Sequence, residues 1–149
     1  MRYLTIGLLA SGLLAGCNSG SGSDTSTTIP SVPVNVQLDL LDQQNKALRF
    51  DGGVVTIAAG SANGQGGIKG IYVVRQNATT YSAFERNCPY QPAASCATVT
   101  LDPSSRLFFK DDCCGSQFNL QGMVTAGPAP RALRQYSTNL SGSLLTITN

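Results

Sequence analysis

The 149-residue chain predicts a single all-β domain, and three observations predict it. Charged residues are 12% and aromatics 7%, with 16 glycines and no tryptophan, a lightly charged and turn-rich composition. No segment keeps a 3.6-residue apolar period, so few or no helices are expected after the N-terminal segment. Short apolar or alternating runs recur between glycine, proline and asparagine turns, the pattern of an antiparallel sandwich or barrel.

The N-terminal segment is set apart from the fold. Arg2 precedes an apolar run over 4–14, too short to span a bilayer as a mature helix. The run ends in Leu14-Ala15-Gly16-Cys17, which resembles the lipobox of bacterial lipoproteins. That resemblance implies a signal peptide over 1–16, cleavage before Cys17, and attachment of acyl chains such as palmitate to Cys17. Several chains give durable anchoring where one is marginal. No Arg-Arg pair precedes the apolar run, which points to the general secretion route. Residues 17–31 are the lipidated cysteine and a Gly/Ser/Thr tether with nothing to bury. Asn18, rather than Asp, follows the cysteine; by resemblance to Gram-negative lipoprotein sorting this implies the outer membrane, facing the periplasm.

Residues 32–149 are expected to form the domain. Val32, Val34, Val36, Leu38 and Leu40 alternate with polar or small residues, a half-buried strand entered through Pro30 and Pro33. A turn is expected over 41–45 and a short extended piece over 47–50. Asp51-Gly52-Gly53 is a turn, and the β-branched stretch 54–58 a strand. The glycine-rich stretch 60–67 reads as a loop, since no Lys-Ser/Thr pair follows to make it a phosphate cradle. Residues 68–75 (Ile-Lys-Gly-Ile-Tyr-Val-Val-Arg) give the strongest strand, turned back over 77–79 into a partner at 81–85. Strands at 98–101 and 106–110 flank the turn Asp102-Pro103-Ser104-Ser105. A hairpin over 117–120 and 123–126 turns at Gln121-Gly122, and 131–138 with 144–147 close the sheet.

Formal net charge is +2, and removing 1–16 takes away Arg2, leaving nine basic against eight acidic side chains. No basic cluster is present, so the electrostatic footprint of nucleic-acid binding is missing. The chain contains no histidine, which excludes a Ser-His-Asp hydrolase built on Ser141 or Ser143. Arg131 and Arg134 read as surface strand residues rather than an anion site. Asp111 and Asp112 read as a solvated loop mouth, because neighbours on a strand point to opposite faces and too few oxygens are near for calcium.

Of five cysteines, Cys17 is assigned to lipid, leaving Cys88, Cys96, Cys113 and Cys114. An even number in an exported domain implies disulfides, and four cysteines allow three pairings that sequence does not distinguish. A bond between the adjacent Cys113 and Cys114 is the most strained.

From residue 81 onward the order is strand, Cys88-Pro89-Tyr90 loop, hairpin, Cys114-Gly115-Ser116-Gln117-Phe118-Asn119, glycine turn, Gly127-Pro128-Ala129-Pro130, and two closing strands. This resembles the Rieske iron–sulfur family over roughly the last seventy residues. With the lipobox and tether it also looks like Rieske-like lipoproteins of the Bacteroidetes type. The resemblance implies a β-sandwich carrying a small subdomain of the cluster-binding type. The family's two loops read Cys-x-His and Cys-x-x-His, two thiolates on one iron and two imidazoles on the other. Carried over, the four ligand positions hold Cys88, Tyr90, Asp111 and Cys114. Tyrosine, with a free pKa near ~10, is a poor ligand at neutral pH, and a carboxylate is hard where a soft thiolate is expected.

The resemblance therefore implies no cofactor, with a [2Fe–2S] cluster on Cys88, Tyr90, Asp111 and Cys114 as the alternative. It also implies the pairing Cys88–Cys114 and Cys96–Cys113, since cluster-ligand positions are neighbours; Cys88–Cys113 with Cys96–Cys114 is the runner-up. The expected role is a structural, binding or assembly component of the cell envelope. Its partners are the membrane, through the anchor, and an envelope protein. The alternatives are an electron carrier with atypical ligands drawn from Cys88, Cys96, Asp111, Cys113 and Cys114, and a thiol–disulfide exchange protein using Cys113-Cys114.

Overall fold

The computed structural model describes residues 28–149; the expected signal peptide, Cys17 and most of the tether lie outside the described residues. Ten strands follow one another: β1 (Asn35–Asp39), β2 (Val54–Ile57), β3 (Ile71–Arg75), β4 (Tyr81–Glu85), β5 (Val99–Leu101), β6 (Phe108–Asp111), β7 (Gln117–Asn119), β8 (Val124–Ala126), β9 (Gln135–Ser141) and β10 (Leu144–Thr148). They make a six-stranded antiparallel sheet ordered β1-β10-β9-β4-β3-β2 and a four-stranded sheet ordered β5-β6-β7-β8. The expected all-β class holds.

The larger sheet curls on itself. Val36 of β1, Leu145 and Ile147 of β10 and Tyr136 of β9 share one core with Ile57, Ile71, Val73, Tyr81 and Ala83 of β2, β3 and β4. The smaller sheet lies on the other face of β3 and β4. There Val54, Tyr72, Val74 and Phe84 pack with Val99, Phe109, Phe118 and Leu133. Side-chain alternation along β3 thus sends Ile71 and Val73 to the first core and Tyr72 and Val74 to the second. A strand buried on both faces reads as a continuous apolar run, which is why this one stood out in the sequence. Tyr72 joins the two sheets: its ring stacks on Phe109 at 4.6 Å between centroids, and its hydroxyl accepts from the Leu101 amide at 3.0 Å.

Several expectations are corrected. The turn and extended piece expected over 41–50 are instead a 3₁₀ helix, Gln43–Arg49. Its buried Leu48 fills the first core, and the buried Asn45 donates to the Asp39 carbonyl at 2.8 Å. The loop at 60–67 contains a single helical turn, Ser61–Gly64, whose Ala62 and Asn63 have positive φ. Residues 68–70 do not join β3, because the Ile68 and Lys69 amides bond a side chain instead of a neighbouring strand. The stretch 131–134 precedes β9 rather than belonging to it, and Arg134 is half-buried, donating to the Ile29 and Pro30 carbonyls at 2.8 and 2.7 Å. Among the described residues no helix is long and apolar enough to cross a membrane.

Candidate functional site

Two loops at one end of the smaller sheet form the site. The first leaves β4 and returns to β5, closed at its base by the Asn87–Thr98 bridge and by the Cys88 amide donating to the Ala97 carbonyl at 3.1 Å. The second joins β6 to β7 and is closed by Asp111 N–H to Ser116 O at 2.9 Å and Gly115 N–H to Asp111 O at 2.8 Å. Gly115, at φ +76°, supplies the left-handed residue this tight turn needs. The proline segment covers the second loop. Ala129 donates its amide to the Ser116 hydroxyl at 3.0 Å, and Gly127 lies so close that a Cβ there would sit 2.5 Å from the Ser116 Cα.

The four cysteines sort into two pairs. Cys96 and Cys113, both exposed at the rim, form a disulfide that clasps loop to loop, with Cα atoms 5.6 Å apart. Cys88 and Cys114 lie inward, the first fully buried and the second half-buried. The Cys88–Cys114 bond implied by the resemblance is not formed; the two are free thiols whose sulfurs stand 3.8 Å apart. The vicinal Cys113 and Cys114 are not bonded to each other either.

Asp111 corrects a second expectation. It is not at a solvated mouth but 1% exposed, because β6 places it opposite Val99 and beneath the first loop. Asp112 alone takes the solvent side, paired with Lys110 at 3.0 Å. A carboxylate oxygen of Asp111 and the sulfurs of Cys88 and Cys114 lie within 4.8 Å of one another. Asp111 Oδ1 accepts the Cys113 amide at 2.7 Å, whereas Oδ2 has no hydrogen-bond partner among the described residues. Burial first, and then a hydrogen bond from the thiol to the Asp111 carboxylate, hold the Cys88 thiol above its ordinary range; the Tyr90 amide facing the sulfur opposes them in part. The Cys114 thiol donates to Ser116 Oγ at 3.0 Å. Tyr90, at the remaining family ligand position, packs its ring against the second core.

A second buried carboxylate holds the first loop at its root, and sequence reading missed it. Glu85, fully buried at the end of β4, accepts from Ile68 N–H (2.8 Å), Lys69 N–H (2.9 Å), Asn87 N–H (3.1 Å) and the Tyr136 hydroxyl (2.7 Å). The available signal was a single acid ending an otherwise uncharged strand, just before the Cys88-Pro89-Tyr90 loop.

A β-sandwich whose small second sheet offers two disulfide-clasped loops, with cysteines gathered beneath the clasp, is the architecture of the Rieske fold. A solved example matches: the cyanobacterial plasma membrane Rieske protein PetC3 from Synechocystis PCC 6803, with a TM-score of 0.50 and 24% identity, over 80% of this chain and 100% of that one. The likeness is one of fold. No family model matches the chain, and no curated protein does.

A Rieske-type cluster requires two imidazoles besides two thiolates. The chain has no histidine, and among the described residues the donors that converge are Cys88, Asp111 and Cys114, whose ligand atoms lie within 4.8 Å of one another. These residues do not fit a cluster held in that manner.

Proposed function

We propose that this protein is a lipid-anchored component of the bacterial cell envelope, held through Cys17 and facing the periplasm from the outer membrane. Its Rieske-like domain has given up the [2Fe–2S] cluster and serves a structural or binding role toward another envelope protein. The observation that carries this reading is the donor set between the loops: Cys88, Asp111 and Cys114, without an imidazole, beneath a Cys96–Cys113 bond. In a cluster protein the iron joins the two loop tips. Here a disulfide across the same loops supplies that restraint without metal.

The test is made on protein isolated from native membranes. Iron, acid-labile sulfide and the visible spectrum are measured together with the mass of the N-terminal peptide. The expected result is a colourless protein without sulfide, bearing acyl chains on Cys17. Stoichiometric iron and sulfide would replace this reading with an electron carrier using atypical ligands. An unmodified Cys17 in the mature protein would remove the anchor.

A further inference from the structure

We infer that Cys88, Cys114 and Asp111 form a mononuclear site for a thiophilic divalent cation of the zinc type. The inference rests on the cluster-free reading above and gives the two loops a ligand of a different kind.

Geometry supplies the first argument. Two sulfurs each about 2.3 Å from one tetrahedral metal stand about 3.8 Å apart. The Cys88 and Cys114 sulfurs are 3.8 Å apart. A bonded pair is far closer, at about 2.05 Å. Asp111 brings a carboxylate oxygen within 4.8 Å of both sulfurs.

The unpartnered oxygen is a second, independent observation. Asp111 is 1% exposed, and its Oδ2 has no partner among the described residues. A buried carboxylate oxygen left so is costly, and native structures rarely keep one without an unseen ion or water. A cation held by the two thiols and the Asp111 carboxylate satisfies it.

The surrounding donors also suit the metal-bound form. Ser116 Oγ accepts from Ala129, which leaves its hydrogen free to donate to a Cys114 thiolate. The Tyr90 amide faces the Cys88 sulfur, and the Cys113 amide fixes Asp111 Oδ1 and so the orientation of its carboxylate. Such outer partners orient ligands in known metal sites. Binding balances simply: each thiol releases one proton to solvent, two sulfur–hydrogen bonds are lost, two sulfur–metal bonds form, and no electrons move. Two thiolates and one carboxylate make three protein ligands, the number that leaves the fourth position of a tetrahedral ion for water.

The full-length protein is purified from native membranes with its outer disulfide intact. Bound metal is counted by native mass spectrometry, and free thiols are mapped under non-reducing conditions. Zn²⁺ or Co²⁺ is then added as the probe. The expected result is one ion per chain, thiolate charge-transfer and tetrahedral ligand-field bands with Co²⁺, and loss of binding in Cys114→Ser. In Asp111→Asn, which keeps an acceptor for Cys113, affinity is expected to fall by about tenfold or more. Circular dichroism verifies that both variants fold; Asp111→Asn carries the test alone if Cys114→Ser does not. A Cys88–Cys114 disulfide in the native protein overturns the inference and leaves the cluster-free reading standing. So do free thiols that take up neither ion, and binding that neither substitution changes. Iron with acid-labile sulfide overturns both.

Discussion

Replacing Glu85 by Gln tests how the first loop is held. The carboxylate meets four donors: Oε1 accepts from Lys69 and Asn87, and Oε2 from Ile68 and Tyr136. In Glu85→Gln one oxygen remains, and the amide NH₂ faces the other two donors. The better of the two placements turns NH₂ toward Tyr136, whose hydroxyl can rotate to accept, and leaves the Ile68 amide orphaned. An orphaned buried N–H costs about 1–3 kcal/mol. The two bonds kept by the oxygen fall from charged to neutral strength, a further loss of about 1 kcal/mol each. Removing a charge from a fully buried position offsets part of this. The expected net destabilisation is about 2–4 kcal/mol. Urea unfolding of the oxidised protein measures it, and amide hydrogen exchange locates it. The Ile68, Lys69 and Asn87 amides are expected to lose protection beyond the global change. A destabilisation under about 0.5 kcal/mol, the range of ordinary surface substitutions, would refute the anchoring role.

Two further outcomes follow from the same geometry. The Cys96–Cys113 bond closes a loop with a sequence separation of 17, which in the chain-entropy account stabilises by about 3 kcal/mol. The double variant Cys96→Ser/Cys113→Ser is expected to lose that amount in denaturant unfolding, and a loss under about 1 kcal/mol would show that packing alone holds the loops. Burial, and then the hydrogen bond to Glu85, raise the Tyr136 phenol above its ordinary value of 10.0. Since the folded value lies above the unfolded one, its stabilising contribution is complete below pH 10.0 and is lost only as pH rises through the folded value. Phenolate absorbance should therefore show a late step that disappears in Tyr136→Phe; an unchanged titration curve would contradict this.

Local residue patterns carried most of the fold. The run Ile71–Arg75 is apolar on both of its faces, and alternation marks β1 and β10, so these strands are written in neighbouring residues. The helix at Gln43–Arg49 was not legible, because a short 3₁₀ turn has no extended period to detect; Leu48 in the core and Asn45 on the Asp39 carbonyl hold it there.

The site divides along the same line. Sequence placed Cys88, Cys96, Asp111, Cys113 and Cys114 on two loops and showed that no histidine accompanies them. It had no means to choose which sulfurs meet, since pairing depends on distances between segments far apart in the chain. Nor did it separate Asp111 from Asp112. The β5–β6 register turns the first inward beneath the loop and leaves the second in water. Residue identity thus fixed which donors the protein owns, through chemistry that needs no neighbours. Their convergence, and the burial that leaves Oδ2 of Asp111 without a partner, came only from packing the small sheet against β3 and β4, which sets exposure and dielectric at each atom.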